Sequence, residues 1–226
     1  MYGRAALRLG GIFGLLAVVL MIPAYLVGHP DAPGSPQEAS GYFEAGIGTF
    51  VFSNGVLPLF HVFFFILFLG VLYGVLRGAG DDAQGVGGVG LPAAALAGGI
   101  VFVGLEAVGF AVEILYPAAL QRFGVFEPDA AFVLVSLTLS SWLYHFCQVG
   151  ASAMVLVTSL VTLETGVLPR WLALAGFMVA LLTLLHFLLP LLAALVGLLW
   201  IAVVSVLMLT GGVEPTGGPR RRTVQR

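Results

Sequence analysis

Stretches of about 20 nearly uninterrupted apolar residues recur along this chain, and no other feature constrains its fold so tightly. Coiled as a helix, each is about 30 Å long, the thickness of the hydrocarbon layer of a bilayer. Strands of β-barrels also cross membranes, but they alternate apolar and polar residues. Here runs such as Val179 to Leu189 are apolar on nearly every side. With 60% of the 226 residues hydrophobic and 9% charged, a water-soluble globule would lack the polar surface to cover its core. The sequence therefore predicts an all-α, polytopic integral membrane helical bundle, with the lipid bilayer as its partner and no nucleic-acid role.

Six spans are expected, at about 9–27, 51–76, 91–116, 131–163, 171–189 and 191–209. The fourth is long enough to tilt or to project beyond the membrane. Pro190 divides the last apolar stretch, which would otherwise be about twice the length needed to cross, so a tight hairpin is expected there. Loops that carry arginine stay on the cytoplasmic side. With the amino terminus inside, Arg4, Arg8, Arg77, Arg170, Arg220, Arg221, Arg222 and Arg226 are all cytoplasmic, and only Arg122 falls outside. An odd number of spans breaks this sorting. The expected location is the bacterial cytoplasmic (inner) membrane, with both termini cytoplasmic.

The polar, Pro-rich segment 28–50, with His29, Asp31, Pro33, Pro36, Glu38 and Glu44, becomes the largest external element, and the Gly-rich segment 78–90 a flexible cytoplasmic loop. Residues 211–226 read as a disordered basic tail drawn to anionic headgroups. The first run has the form of a secretory signal, whose removal would leave five spans. Its long apolar core favours retention, as do Pro23, Tyr25 and Leu26 standing where small cleavage-site residues are expected. No stretch is hydrophilic enough for a second domain, so residues 1–210 form one membrane domain.

Ionisable side chains in hydrocarbon cost roughly 2.5 to 3.5 kcal/mol each on insertion scales, so each needs a partner or a watery cavity. Five require explanation: His61 in the second span, Glu106 and Glu113 in the third, His145 in the fourth and His186 in the fifth. Depth along the helices puts all five in the outer half or the middle of the membrane, as an outward-facing polar pocket. Thr138, Ser141, His145, Gln148 and Ser152 follow at intervals of three or four and share one helix face. Glu106 and Glu113, seven apart, share another, as do Thr183 and His186. Hydrogen bonding between helices accounts for the serines and threonines. It accounts less well for two glutamates and three histidines.

Three chemistries fit those five. His61, Glu106 and His145 form a candidate metal set for zinc or iron, with Ser141 or Gln148 behind it. His61 and His145 form a candidate haem-ligand pair, flanked by Phe60, Phe63, Phe64 and Tyr144. The same groups, with Glu113, His186, Ser141, Gln148 and Ser152 as a polar pathway, suit proton relay or solute binding without a cofactor. A different class also remains: a non-catalytic accessory subunit of a larger membrane complex, or a homo-oligomer. Every basic residue is arginine, so a Schiff-base lysine is excluded, and the single cysteine, Cys147, excludes an internal disulfide.

Gly150, Ala151, Ser152 and Ala153 resemble the nucleophile segment of rhomboid proteases, but the last span has no histidine to serve as base. Gly98 and Gly99, with Ala94 and Ala95, read as close-packing helix contacts. The stretch Thr165, Gly166, Val167, Leu168, Pro169, Arg170, Trp171, Leu172, followed by Gly176, resembles an uncharacterised family of bacterial, often actinobacterial, six-helix membrane proteins catalogued as a domain of unknown function. The second span, ending in Gly70, Val71, Leu72, Tyr73, Gly74, Val75, Leu76 and Arg77, is similar to that family's second helix. The resemblance implies a six-helix fold and assigns no residue roles.

Overall fold

The computed structural model describes residues 3–27, 35, 38, 47–81, 90–124 and 130–213. Most of the external segment, the centre of the Gly-rich loop and the tail beyond residue 213 lie outside the described residues. All regular structure among the described residues is helical. It comprises α1 (Arg4–Val27), α2 (Ile47–Val51), a π-helical turn (Phe52–Val56) leading into α3 (Leu57–Asp81), α4 (Gly90–Glu113), α5 (Leu115–Phe123), α6 (Ala130–Thr165), α7 (Arg170–Leu184) and α8 (Pro190–Thr210). Five helical stretches are long and apolar enough to cross a membrane: α1, the run from α2 through α3, α4, α6 and α8.

Six rods close into a ring. Around it α1 packs on α3, α3 on α4, α4 on α6, α6 on α7, α7 on α8, and α8 back on α1, with a further contact across the middle between α3 and α6. Side-chain partners give every neighbouring pair as antiparallel. Along α1 and α3, Gly10 meets Val71 while Ala17 meets His61. Along α4 and α6, Gly98 meets Met154 while Gly109 meets Ser140. On α1 and α8, Gly11 meets Leu209 while Gly14 meets Ser205. Arg4, Arg8, Arg77 and Arg170 therefore gather at one end of the ring, and α5 with Arg122 lies at the other.

The core is thin and the outside apolar. Phe65, Phe68, Leu72 and Leu76 of α3 and Met154, Val155 and Val161 of α6 are buried, while Leu16, Phe63, Ile100, Phe146, Leu174 and Leu199 are exposed on six different rods. Such a surface suits a lipid environment. Lipid tails are as apolar as these side chains, so close backbone approach has to hold the rods together. The contact between α4 and α6 is the most extensive in the molecule, and it is built on Gly98 and Gly150 facing each other's backbones. Gly99 receives Leu69 of α3. Gly150, which the rhomboid-like string contains, is thus a packing residue.

Local signals explain the helix ends. Gly166, at φ 70°, stops α6, its N–H donating to the Thr162 carbonyl at 2.8 Å, and Pro169 with extended backbone caps α7. The stretch carrying the family resemblance is therefore a tight helix–turn–helix joint. Pro190 opens α8, and Gly211 at φ 82° closes it.

Five boundaries differ from the sequence reading by three residues or more, two of them simple extensions of helix: α1 begins at Arg4 and α3 ends at Asp81. The third span was expected to reach Tyr116, but α4 ends at Glu113, and the nine-residue α5 follows, burying Tyr116 and Pro117. The second begins four residues early through α2 and the π-helical turn, which buries Ser53, Asn54 and Gly55. The fifth was expected to run to Leu189. Instead α7 has 15 residues, about 22 Å of helix, and residues 185–189 form turns. Pro190 has no N–H and its ring disfavours helical conformation in the residue before it, so the chain unwinds ahead of the proline.

Candidate functional site

The early end of α7 leaves space between its ring neighbours α6 and α8, at the end opposite the arginine cluster. A cavity of about 660 Å³ lies there, within the size range of small-molecule sites. Met21, Ala24 and Tyr25 of α1 form one wall, and Glu106, Phe110 and Glu113 of α4 another. One face of α6 between Leu137 and Gln148 supplies the third, and His186 with Pro190, Leu191 and Ala194 closes the fourth. Its rim, formed by Thr138, Ser141, Trp142, Pro190 and Leu191, is exposed, whereas Glu106 and Glu113 are 3% exposed on the inner wall.

Behind Glu106 stands His61, wholly buried and stacked on Phe65 at 5.9 Å between ring centroids. Its Nδ1 lies 2.8 Å from the Ala17 carbonyl oxygen, which can only accept, so Nδ1 carries a proton and donates it. Nε2 lies 3.0 Å from Glu106 Oε2. Those two atoms share one further proton, as imidazolium with carboxylate or as imidazole with carboxylic acid. Either way the pair is neutral overall, which lowers the several-kcal/mol penalty of taking an ion out of water.

Two more pairs repeat the arrangement around the cavity. Tyr144 Oη donates to Glu113 Oε2 at 2.8 Å. His145 Nδ1 and His186 Nδ1 are 3.0 Å apart, so one donates and the other accepts, and a single proton lies between the rings. Trp142 packs edge-on against His145 at the rim.

The structure brings together His61 with Glu106 and His145 with His186, and places Glu106, Glu113, His145, His186, Ser141 and Gln148 on one cavity. His145 does not join His61 and Glu106. Among the described residues no group of three or more His, Cys, Asp or Glu side chains is placed to hold a metal ion. Both ring nitrogens of His61 are engaged, so it offers no lone pair to zinc, iron or haem. Phe60 and Phe63, expected beside a haem, face outward. The residues present therefore fit neither the metal set nor the haem pair.

Ser152 leaves the expected polar face as well: its Oγ donates to the Ala180 carbonyl of α7 at 2.7 Å, a helix–helix hydrogen bond. Thr183 bonds back to Val179 and Ala180 within its own helix, so of that pair only His186 reaches the cavity.

Sequence reasoning missed Tyr25 and the role of Tyr144. A tyrosine in an apolar span carries a hydroxyl that needs a partner, and that was the signal available for both.

Compared with protein-family models, curated proteins and solved structures, the chain matches none. The case for function rests on the cavity and its hydrogen bonds.

Proposed function

We propose that the protein is a six-crossing carrier of the bacterial cytoplasmic membrane that binds a small solute in an outward-facing cavity and moves protons through the groups that line it. The observation that carries this reading is the set of three proton-sharing pairs, His61–Glu106, Tyr144–Glu113 and His145–His186, around one cavity. Groups that both give and take a proton at hydrogen-bond distance are what a relay requires. They run from the exposed rim to the buried interior.

Closure of the ring supports six crossings. Rods that are antiparallel to both neighbours close only in even numbers, and five helices of spanning length leave α7, extended by residues 185–189, as the sixth crossing. The gathering of Arg4, Arg8, Arg77 and Arg170 at one end supports a layout with that end in the cytoplasm and the cavity facing outward. The resemblance to the six-helix bacterial family agrees with this layout. Alkaline phosphatase fused after Val213 is expected to be inactive, and fused after Gly124 active, since the enzyme matures only outside the cytoplasm. The reverse pattern would invert the orientation.

Function is tested in proteoliposomes loaded with a pH-sensitive dye under an inside-negative potassium diffusion potential. Wild-type vesicles are expected to acidify faster than empty ones. Glu106→Gln is expected to abolish the difference while preserving the fold, because the amide still donates to His61 Nε2 but cannot exchange a proton. Wild-type vesicles that acidify no faster than empty ones, or a fully active Glu106→Gln, would overturn the reading.

A further inference from the structure

Resting on the carrier reading, we infer that the cavity takes its ligand sideways from the outer leaflet, and that the ligand is a lipophilic cation, an amphiphilic amine or a quaternary onium ion.

The route follows from the shortened α7. The rim residues Trp142 and Leu191 belong to the outer surface of the ring, and Phe187, Leu188 and Leu189 beside them are exposed. An opening among such side chains borders lipid. Trp142, exposed at the mouth, is of the residue type that membrane proteins concentrate at headgroup depth, where an amphiphile carries its charge. A ligand entering there keeps its tail in hydrocarbon and brings its polar end toward α4.

The sign of that polar end follows from the walls. Among the described residues the titratable side chains lining the cavity are Glu106, Glu113, Tyr25, Tyr144, His145 and His186, and none of the described lining residues is an arginine. An anionic head would meet two carboxyl groups and no guanidinium. A cation meets those carboxyl groups together with the rings of Tyr25, Phe110, Tyr144 and Trp142, the surroundings in which onium ions are held by ring faces.

The exchange balances in charge. A monovalent cation settling beside Glu106 displaces the proton shared between Oε2 and His61 Nε2, leaving carboxylate against cation and neutral imidazole behind it. One proton leaves for each cation that enters. His145 and His186 at the rim provide its next acceptor.

The test uses the purified protein in phosphatidylcholine nanodiscs with two probes of nearly equal shape and opposite charge, tetraphenylphosphonium and tetraphenylborate. Saturable binding of tetraphenylphosphonium, displaced by dodecyltrimethylammonium, is expected. Glu106→Gln or Glu113→Gln is expected to weaken it by about tenfold or more, because a charge partner is lost from a site shielded from water. Tetraphenylborate is expected to bind no more than to empty nanodiscs. Equal binding of the two probes, or tetraphenylphosphonium binding unchanged in both variants, would overturn the inference. Vesicles that conduct protons without binding tetraphenylphosphonium would remove the ligand class and leave the carrier reading standing. Binding without proton movement would do the opposite.

Discussion

His61→Leu is expected to be among the most destabilising single substitutions in the protein, lowering stability by about 3–5 kcal/mol. The leucine removes the imidazole bonded to Glu106 Oε2 and leaves a carboxyl group that is 3% exposed to take up a proton or stay charged in a low-dielectric wall. The opposite substitution costs less. In Glu106→Leu, His61 stays neutral with its Nδ1 proton on the Ala17 carbonyl, so only an acceptor nitrogen is left unsatisfied, at about 1–3 kcal/mol. Replacing both residues with leucine removes both polar groups together, and the double variant is expected to be more stable than His61→Leu alone. Thermal unfolding of all four proteins in one detergent closes the cycle. Additive single effects would show that the two side chains are energetically independent. Proton uptake is expected to be lost in all three variants, including the stable double variant, and this separates the pair's chemistry from its contribution to folding.

The pair also marks how far the sequence was legible. Histidine and glutamate inside apolar runs are expensive enough that their presence alone signals an arrangement, and depth along the helices placed His61 and Glu106 together in the outer half or the middle of the membrane. Helical spacing did the same for Thr138, Ser141, His145 and Gln148, which share the cavity wall as a three-to-four period requires. Neither quantity fixes the order of helices around the ring. The metal set needed His145 to face His61, whereas α6 presents it to His186 in the turns that follow α7. Ser152 lies one turn beyond Gln148, close enough to α7 for its hydroxyl to find a carbonyl there.

The shortened α7 was hidden for a different reason. Hydropathy reads Leu184 to Leu189 as continuous span, and only the backbone restriction that Pro190 imposes on its N-terminal side reveals that the helix stops. That stop creates the cavity mouth and leaves His186 in the turn beside it, while Thr183 stays in the helix. The nine-residue α5 was equally illegible, since its mixture of Leu, Tyr, Pro, Gln and Arg is neither apolar enough for a span nor polar enough for a loop.

Gly150→Ala is expected to damage the molecule from the other side of the same site. A methyl group there would lie 2.6 Å from the Phe102 amide nitrogen and 2.7 Å from the Gly98 carbonyl oxygen. Both atoms are backbone of α4 and cannot rotate away, so the helices must separate. Alanine's better helix propensity returns at most about 1 kcal/mol. Overpacking typically costs about 1–3 kcal/mol and more where backbone must move, so a net loss is expected. Gly104→Ala, on the same α4 but with no atom within 4 Å of the added carbon, is the control and is expected to melt at or above the wild-type temperature. The consequence extends beyond stability, because Ser140 to the Gly109 carbonyl and Tyr144 to Glu113 span this same interface toward the cavity. Separation near Gly150 therefore lengthens the contacts that position Glu113. If Gly150→Ala melts like Gly104→Ala, the α4–α6 interface has slack that its glycines do not need. A Gly150→Ala protein that folds less stably but binds tetraphenylphosphonium as tightly as wild type would show that the cavity is held by α1 and α8 instead.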